Sequence, residues 1–215
     1  LTVEEIRNQA LNIFPAQSRA VTATDYEGLA YAMPSYLGAL KRVRVVRDQD
    51  SLKRNINIYA ISENSRDHLV QANSALKDNL KIWLNRYRML NDTVDILDAK
   101  IVNVGIEFEV LSNPEINRYE VLDSTITALR EAFGTRKMFI GERFYLTDVY
   151  TALNKVRGVA DTISVKLTNK VSGNYSSSFI NIDKFMSLDG RYLSVPDNVV
   201  LEIKYPKIDI KGTVR

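Results

Sequence analysis

The chain has 215 residues, 45% hydrophobic and 26% charged, with a formal net charge of +3. That is the composition of an ordinary globular protein of one large or two small domains, and its charge is too mild to require a polyanionic partner. It has no cysteine, which excludes disulfides and thiolate metal sites and fits a reducing compartment.

No apolar run approaches the roughly 20 residues of a membrane span, and no signal peptide opens the chain. The sequence begins at Leu1 and ends on polar I-D-I-K-G-T-V-R; it is expected to be a piece of a longer polypeptide. Val3, Ile6, Ala10 and Ile13 have helical spacing, and Pro15 closes that helix. Thr24 and Glu27 read as a capping box, since a Thr at N-cap and a Glu at N3 satisfy backbone donors reciprocally. The helix they start carries Leu29 and Ala30 and ends before Pro34. Residues 40–47 and 55–61 alternate as strands, with Val43, Val45, Ile56 and Ile58 facing a core, and Gln49-Asp50-Ser51 reads as the turn of a hairpin.

Ser65 is expected to cap a helix to about Leu90. Its seam is Leu69, Asn73, Leu76, Leu80, Trp83, Tyr87 and Leu90, spaced by four and three as in a heptad pattern. Such a helix is roughly 38 Å long at 1.5 Å per residue, long enough for part of it to reach beyond its own sheet. Leu76, Leu80, Trp83 and Tyr87 are therefore candidate interface residues, against the alternative of a helix lying along one sheet. Asn91-Asp92 breaks the helix. Residues 101–111 form a long strand with Val102, Val104, Ile106, Phe108 and Val110 on one face and Asn103, Glu107 and Glu109 on the other.

A helix follows, started at Asn113-Pro114 or at Asn117 with Glu120. Leu122, Ile126, Leu129 and Phe133 form its stripe, with Gly134 at C′. Gly141 marks a tight turn. Thr147 is expected to cap a short helix of Val149, Leu153 and Val156, stopped by Gly158. From Val159 the period becomes two, with Val159, Ile163, Val165 and Leu167 on one face and Asp161 as the exception. After Asn169 the chain turns polar and loop-like, with short strands at 179–182, 190–193 and 199–203. The expected fold class is α+β, with helices packed on mixed or antiparallel sheets around a ferredoxin-like split βαβ core. Its parts are a helical segment (1–37), a core module (38–168) and an irregular β-rich tail (169–215).

Reactive constellations are missing from this pattern. His68 is the only histidine, and without cysteine or a second histidine it points to no metal site. Asp92, Asp95 and Asp98 lack the glycine and final Glu of a calcium loop and read as a solvated turn. Glu107 and Glu109 share a strand face, as any alternating strand arranges. No G-x-S-x-G or G-x-x-x-x-G-K occurs. No catalytic, metal-binding or cofactor-binding residue is therefore assigned, and no cofactor, small-molecule substrate or membrane partner is expected. Lys41, Arg42, Arg44, Arg47, Lys53 and Arg54 stand against Asp48 and Asp50, a local +4. A nucleic-acid module would use such a cluster on phosphates; a solvated or protein-facing edge hairpin is the better account, since edge strands commonly carry charge.

Two stretches carry a resemblance. Arg19-Ala20-Val21-Thr22-Ala23-Thr24-Asp25-Tyr26-Glu27-Gly28-Leu29-Ala30 resembles the R-A-V-T-x-x-D-Y-E-x-L-A signature of the baseplate J-like family of contractile phage tails. Phe139-Ile140-Gly141, Asp148-Val149-Tyr150 and Val156-Arg157-Gly158-Val159 resemble its closing segment. The likeness covers most of residues 21–167 and is nearest to the C-terminal half of wedge proteins of T-even-type phages. It implies a structural, non-enzymatic component of a virion's tail baseplate, assembled in the host cytoplasm. By the same likeness it would dimerise, contact other wedge proteins and join wedges into the ring that rearranges on sheath contraction. Nucleic-acid binding through residues 41–54 is the alternative function.

Overall fold

Two sheets, each laid out around one long strand, carry the fold. The computed structural model describes residue 7 and residues 19–48, 55–64, 68–134 and 138–215. The expected N-terminal helix of Val3, Ile6, Ala10 and Ile13, the 49–51 turn, Ser65, Lys53 and Arg54 lie outside the described residues. Helices and mixed sheets make the protein α+β. The chain divides into a first unit ending at Ala99 and a second from Lys100 to Arg215. The division falls inside the stretch 38–168 that was expected to be one module.

The first unit opens with helix α1 (Ala23–Tyr31). Its N-cap is Thr22, whose hydroxyl accepts from the Asp25 N–H at 3.2 Å while the Asp25 carboxylate accepts from the Thr22 N–H at 2.8 Å. The capping box thus sits two residues before the expected Thr24–Glu27 pair, and Glu27 is released for another contact. Strands β1 (Arg42–Arg47) and β2 (Asn55–Glu63) pair antiparallel, with Val43, Val45, Ile56 and Ile58 buried as their alternation requires. A short strand β3 (Leu69–Gln71) pairs with the end of β2. Helix α2 (Ser74–Leu84) then leads to β4 (Thr93–Asp98), which lies parallel to β2 over six residue pairs.

Two expectations are corrected here. The helix predicted from Ser65 to Leu90 is 11 residues long. Asn73, expected inside it, is its N-cap and accepts from the Leu76 N–H at 2.7 Å, while residues 69–71 prefer pairing with β2. The ferredoxin-like split βαβ core is also replaced. A split unit holds a strand between its two parallel strands, whereas β2 and β4 are direct neighbours.

In the second unit β5 (Lys100–Ser112) is central. Val102, Val104, Ile106, Phe108 and Val110 all face the core. Helices α3 (Arg118–Gly134) and α4 (Leu146–Asn154) contribute to that core, with the two-residue strand β6 (Phe144–Tyr145) just before α4. In α3 the buried positions are Val121, Thr125, Leu129 and Phe133, so the apolar stripe is centred about one residue before the expected one. Asn117, not Asn113, starts the helix, its side chain accepting from the Tyr119 N–H at 3.0 Å. Gly134 is the last helical residue and lacks the left-handed φ expected of a C′ position. Thr147 lies within α4, whose N-cap is Tyr145.

Strand β7 (Val159–Asn169) runs antiparallel to one edge of β5. The register shifts between Glu109 and Val110, which pair with Ser164 and Thr162, so Ile163 is the extra residue of a bulge. Ile163 is accordingly 47% exposed, not buried with Val165 and Leu167. Thr162 turns inward and donates to the Asn154 side chain at 2.6 Å. The bulge accounts for the face that sequence alternation placed wrongly.

The segment from 170 onward is not a separate tail. After a one-turn helix α5 (Ile182–Phe185), strand β8 (Tyr192–Leu193) pairs with β6. Strand β9 (Val199–Glu202), a short helix α6 (Pro206–Asp209) and strand β10 (Ile210–Val214) follow. Both β9 and β10 lie parallel to β5, β9 along residues 100–103 and β10 along 106–110. Gly105 falls where one hands over to the other; a Cβ there would lie 2.8 Å from the Asp209 carbonyl oxygen. Leu193, Val195, Val199, Leu201 and Ile210 are buried in the same core as β5.

Candidate assembly surface

Helix α1 clamps the first unit together, and side chains and backbone of residues 20–31 are the clamp. Ala20 is fully buried and its N–H donates to the Tyr87 carbonyl at 2.9 Å. The Val21 carbonyl accepts from the Arg47 guanidinium at 3.0 Å. Tyr26 is buried, and its hydroxyl donates to the Asp92 carboxylate at 2.9 Å. Burial and then this carboxylate push the Tyr26 hydroxyl up to about 12. Burial works against the Asp25 charge, but the N–H groups of Thr22 and Val21 and the Thr22 hydroxyl together hold its carboxyl below its ordinary value.

Glu27 and Tyr31 reach over the outer edge of β1. The Glu27 carboxylate accepts from the Val45 N–H at 2.9 Å, and the Tyr31 hydroxyl accepts from the Val43 N–H at 3.0 Å. Those two N–H groups would otherwise sit on an open sheet edge. Burial pushes the Glu27 carboxyl up, against the Val45 N–H and Arg44, which favour its charge.

The candidate interface residues are engaged within this unit. Leu76 and Leu80 are buried against the sheet, with 8% and 0% exposure. Trp83 and Tyr87 are half-buried against the same core, with ring centroids 5.1 Å apart. The indole N–H of Trp83 donates to the Leu29 carbonyl at 2.8 Å. The seam therefore ties α2 to α1, and Tyr87 lies beyond the helix end. The shortened helix explains this: a segment of about three turns has its seam taken up by one sheet.

The basic cluster is also largely spoken for. Lys41 pairs with Glu63 at 2.8 Å, Arg44 lies 4.0 Å from Glu27, and Arg47 binds Val21. Arg42 is 1% exposed and donates to the Lys41 carbonyl at 2.7 Å. The aspartates read as a turn are structural too. Asp92 is buried beneath Tyr26, while β4 carries Asp95, bonded by the Asn55 amide at 3.1 Å, and Asp98, paired with Lys77 at 2.6 Å. Among the described residues no three metal-ligating side chains cluster. A surface hollow of about 410 Å³ beside the α2 N-terminus contains the Lys41–Glu63 pair, and the Ser62 hydroxyl lining it donates to the Ala39 carbonyl.

In the second unit the closing segment is equally architectural. Gly141 adopts φ +73°, and its N–H donates to the Val199 carbonyl at 2.8 Å. Gly158 adopts φ +97° where a Cβ would lie 2.9 Å from Val121. Val149 is buried, and Asp148 stands in the first turn of α4, where its charge suits the helix dipole. Asp209 is 1% exposed and accepts from the Tyr175 hydroxyl at 2.6 Å and the Tyr205 N–H at 2.8 Å. No sequence signal announced this second Tyr–Asp pair, in which only the aspartate is fully buried, because its members are 34 residues apart.

No family model matches the chain, and no curated protein matches it in sequence. In structure the chain is similar to a chain of the anti-feeding prophage (AFP) baseplate, a six-fold symmetrised cryo-EM structure. The TM-score is 0.54 at 11% sequence identity, over 94% of this chain and 41% of that one. The two share a fold, and the present chain spans about two fifths of its neighbour's length.

Proposed function

We propose that this chain is a structural part of a contractile-tail baseplate. The observation that carries the reading is the fold shared with a chain of the AFP baseplate over 94% of the sequence. The use of the signature residues supports it: Thr22, Asp25, Tyr26 and Glu27 cap, pin and close an edge, and none of them presents a reactive group. Within this reading the protein is a non-enzymatic wedge component of the T-even kind. It associates with itself and with other wedge proteins, joins neighbouring wedges around the hub, and acts in the tail after assembly in the host cytoplasm. Any self-association uses surfaces other than Leu76 and Leu80, which face their own sheet.

The test is a deletion in the source particle. Tails should lack assembled baseplates, with the wild-type chain restoring them; intact baseplates without the chain would refute the proposal. Sedimentation of the purified chain across concentration reads self-association separately. Nucleic-acid binding is disfavoured by the internal pairing of Lys41, Arg44 and Arg47. A steep salt dependence of DNA binding would reinstate it.

A further inference from the structure

Every open sheet edge is a template for another strand unless something blocks it. The outer edge of β1 is blocked by Glu27 and Tyr31, which accept from its N–H groups. The outer edge of β7 is bent by the bulge at Ile163 and carries the exposed Lys166. Strand β4 has neither device. Its pairing with β2 is unbroken over six residues, and its sequence T-V-D-I-L-D contains no Lys, Arg, Pro or Gly. Among the described residues no group bonds the backbone N–H and C=O groups that β4 turns away from β2. Thr93, Leu97 and Asp98 are exposed, and Ile96 is only half-buried although it lies on the core-facing side of the sheet with Val94.

We propose that the outer edge of β4 receives an extended, basic segment of another protein as an added strand. Strand addition supplies affinity through main-chain hydrogen bonds and specificity through alternate side chains. Charge selects the occupant, since β4 carries two carboxylates and no cation. Asp98 already holds Lys77, whereas Asp95 is held by a neutral amide. A lysine or arginine of the added strand pairs with Asp95, and apolar residues at alternate positions cover Ile96 and Val94. The proposal stands apart from the baseplate reading; either can fail without the other.

The test uses the whole chain and a nine-residue synthetic peptide of alternating lysine and valine. Hydrogen exchange and amide chemical shifts of residues 93–98 are the readouts. The peptide should slow exchange of the outward β4 amides at least tenfold. A copy N-methylated along one edge, which keeps the charge but removes the edge hydrogen bonds, should not. Asp95→Lys and Leu97→Lys should each weaken binding tenfold or more, with unfolding curves confirming that the variants fold. The proposal is overturned if the peptide acts elsewhere, or if the N-methylated copy binds equally well. It is overturned as well if the β4 amides are already protected at high dilution, because the chain's own residues then fill the edge. Protection that grows with protein concentration without peptide would assign the edge to a second copy and overturn it too.

Discussion

Tyr26 joins a helix to a residue 66 positions away, and its hydroxyl is buried with the Asp92 carboxylate. Tyr26→Phe removes the donor and leaves the acceptor in place, an asymmetry that costs about 1–3 kcal/mol. Urea unfolding near neutral pH should show that loss. The pair also sets an alkaline limit. The hydroxyls of Tyr26 and Tyr175 are both pushed up to about 12, by burial first and then by Asp92 and Asp209 respectively. A folded-state pKa above the unfolded value of about 10 favours the protonated, folded form. The contribution is therefore complete below about pH 10 and disappears as pH rises towards 12. Absorbance titration should show one fewer late-titrating phenol in Tyr26→Phe than in the native chain. Phe133 belongs to the second unit's core, packed against Phe144 at 5.8 Å. Phe133→Ala should cost about 3–5 kcal/mol, and a loss below about 1 kcal/mol would mean that the α3 face is misassigned.

Helix α2 separates two readings by the sign of one substitution. As the N-cap, Asn73 satisfies the Leu76 N–H, so Asn73→Ala should destabilise the protein by about 0.5–2 kcal/mol. In the interior of a helix from Ser65 to Leu90, the same change would be slightly stabilising, because alanine is the better helix former. Thermal unfolding decides between them. The heptad spacing was real in the sequence, yet it could not show that residues 69–71 pair with β2. Elements whose partners are local or repetitive were readable. The five inward residues of β5 form an unmistakable alternation, and the Leu129–Phe133 stripe survives a shift of one residue. Elements whose logic lies in distant partners were not. Strand β4 resembled a solvated turn because Asp95 and Asp98 find Asn55 and Lys77 only in the folded chain. Of the candidate surface, the signature residues were legible, but their work was not: Glu27 resembled a cap until β1 lay beside it.

The two units place the single tryptophan, Trp83, in the first and the whole β5 sheet in the second. Tryptophan fluorescence therefore reports on the first unit, while circular dichroism sums both. This separates a chain with a dispensable tail from one whose last residues complete a sheet. A chain stopped after Asn169 loses β9 and β10, and with them every strand on one edge of β5. It also loses the buried side chains of Leu193, Val195, Leu201 and Ile210. Removing several core residues at about 2–5 kcal/mol each exceeds the roughly 5–15 kcal/mol by which a domain is stable. The truncated chain should keep a cooperative urea transition in Trp83 fluorescence but lose a large part of the dichroism change, with the second unit binding hydrophobic dye at zero urea. A truncation that retains both signals would show residues 170–215 to be a tail after all. Loss of the Trp83 transition as well would show that the first unit cannot fold without the second.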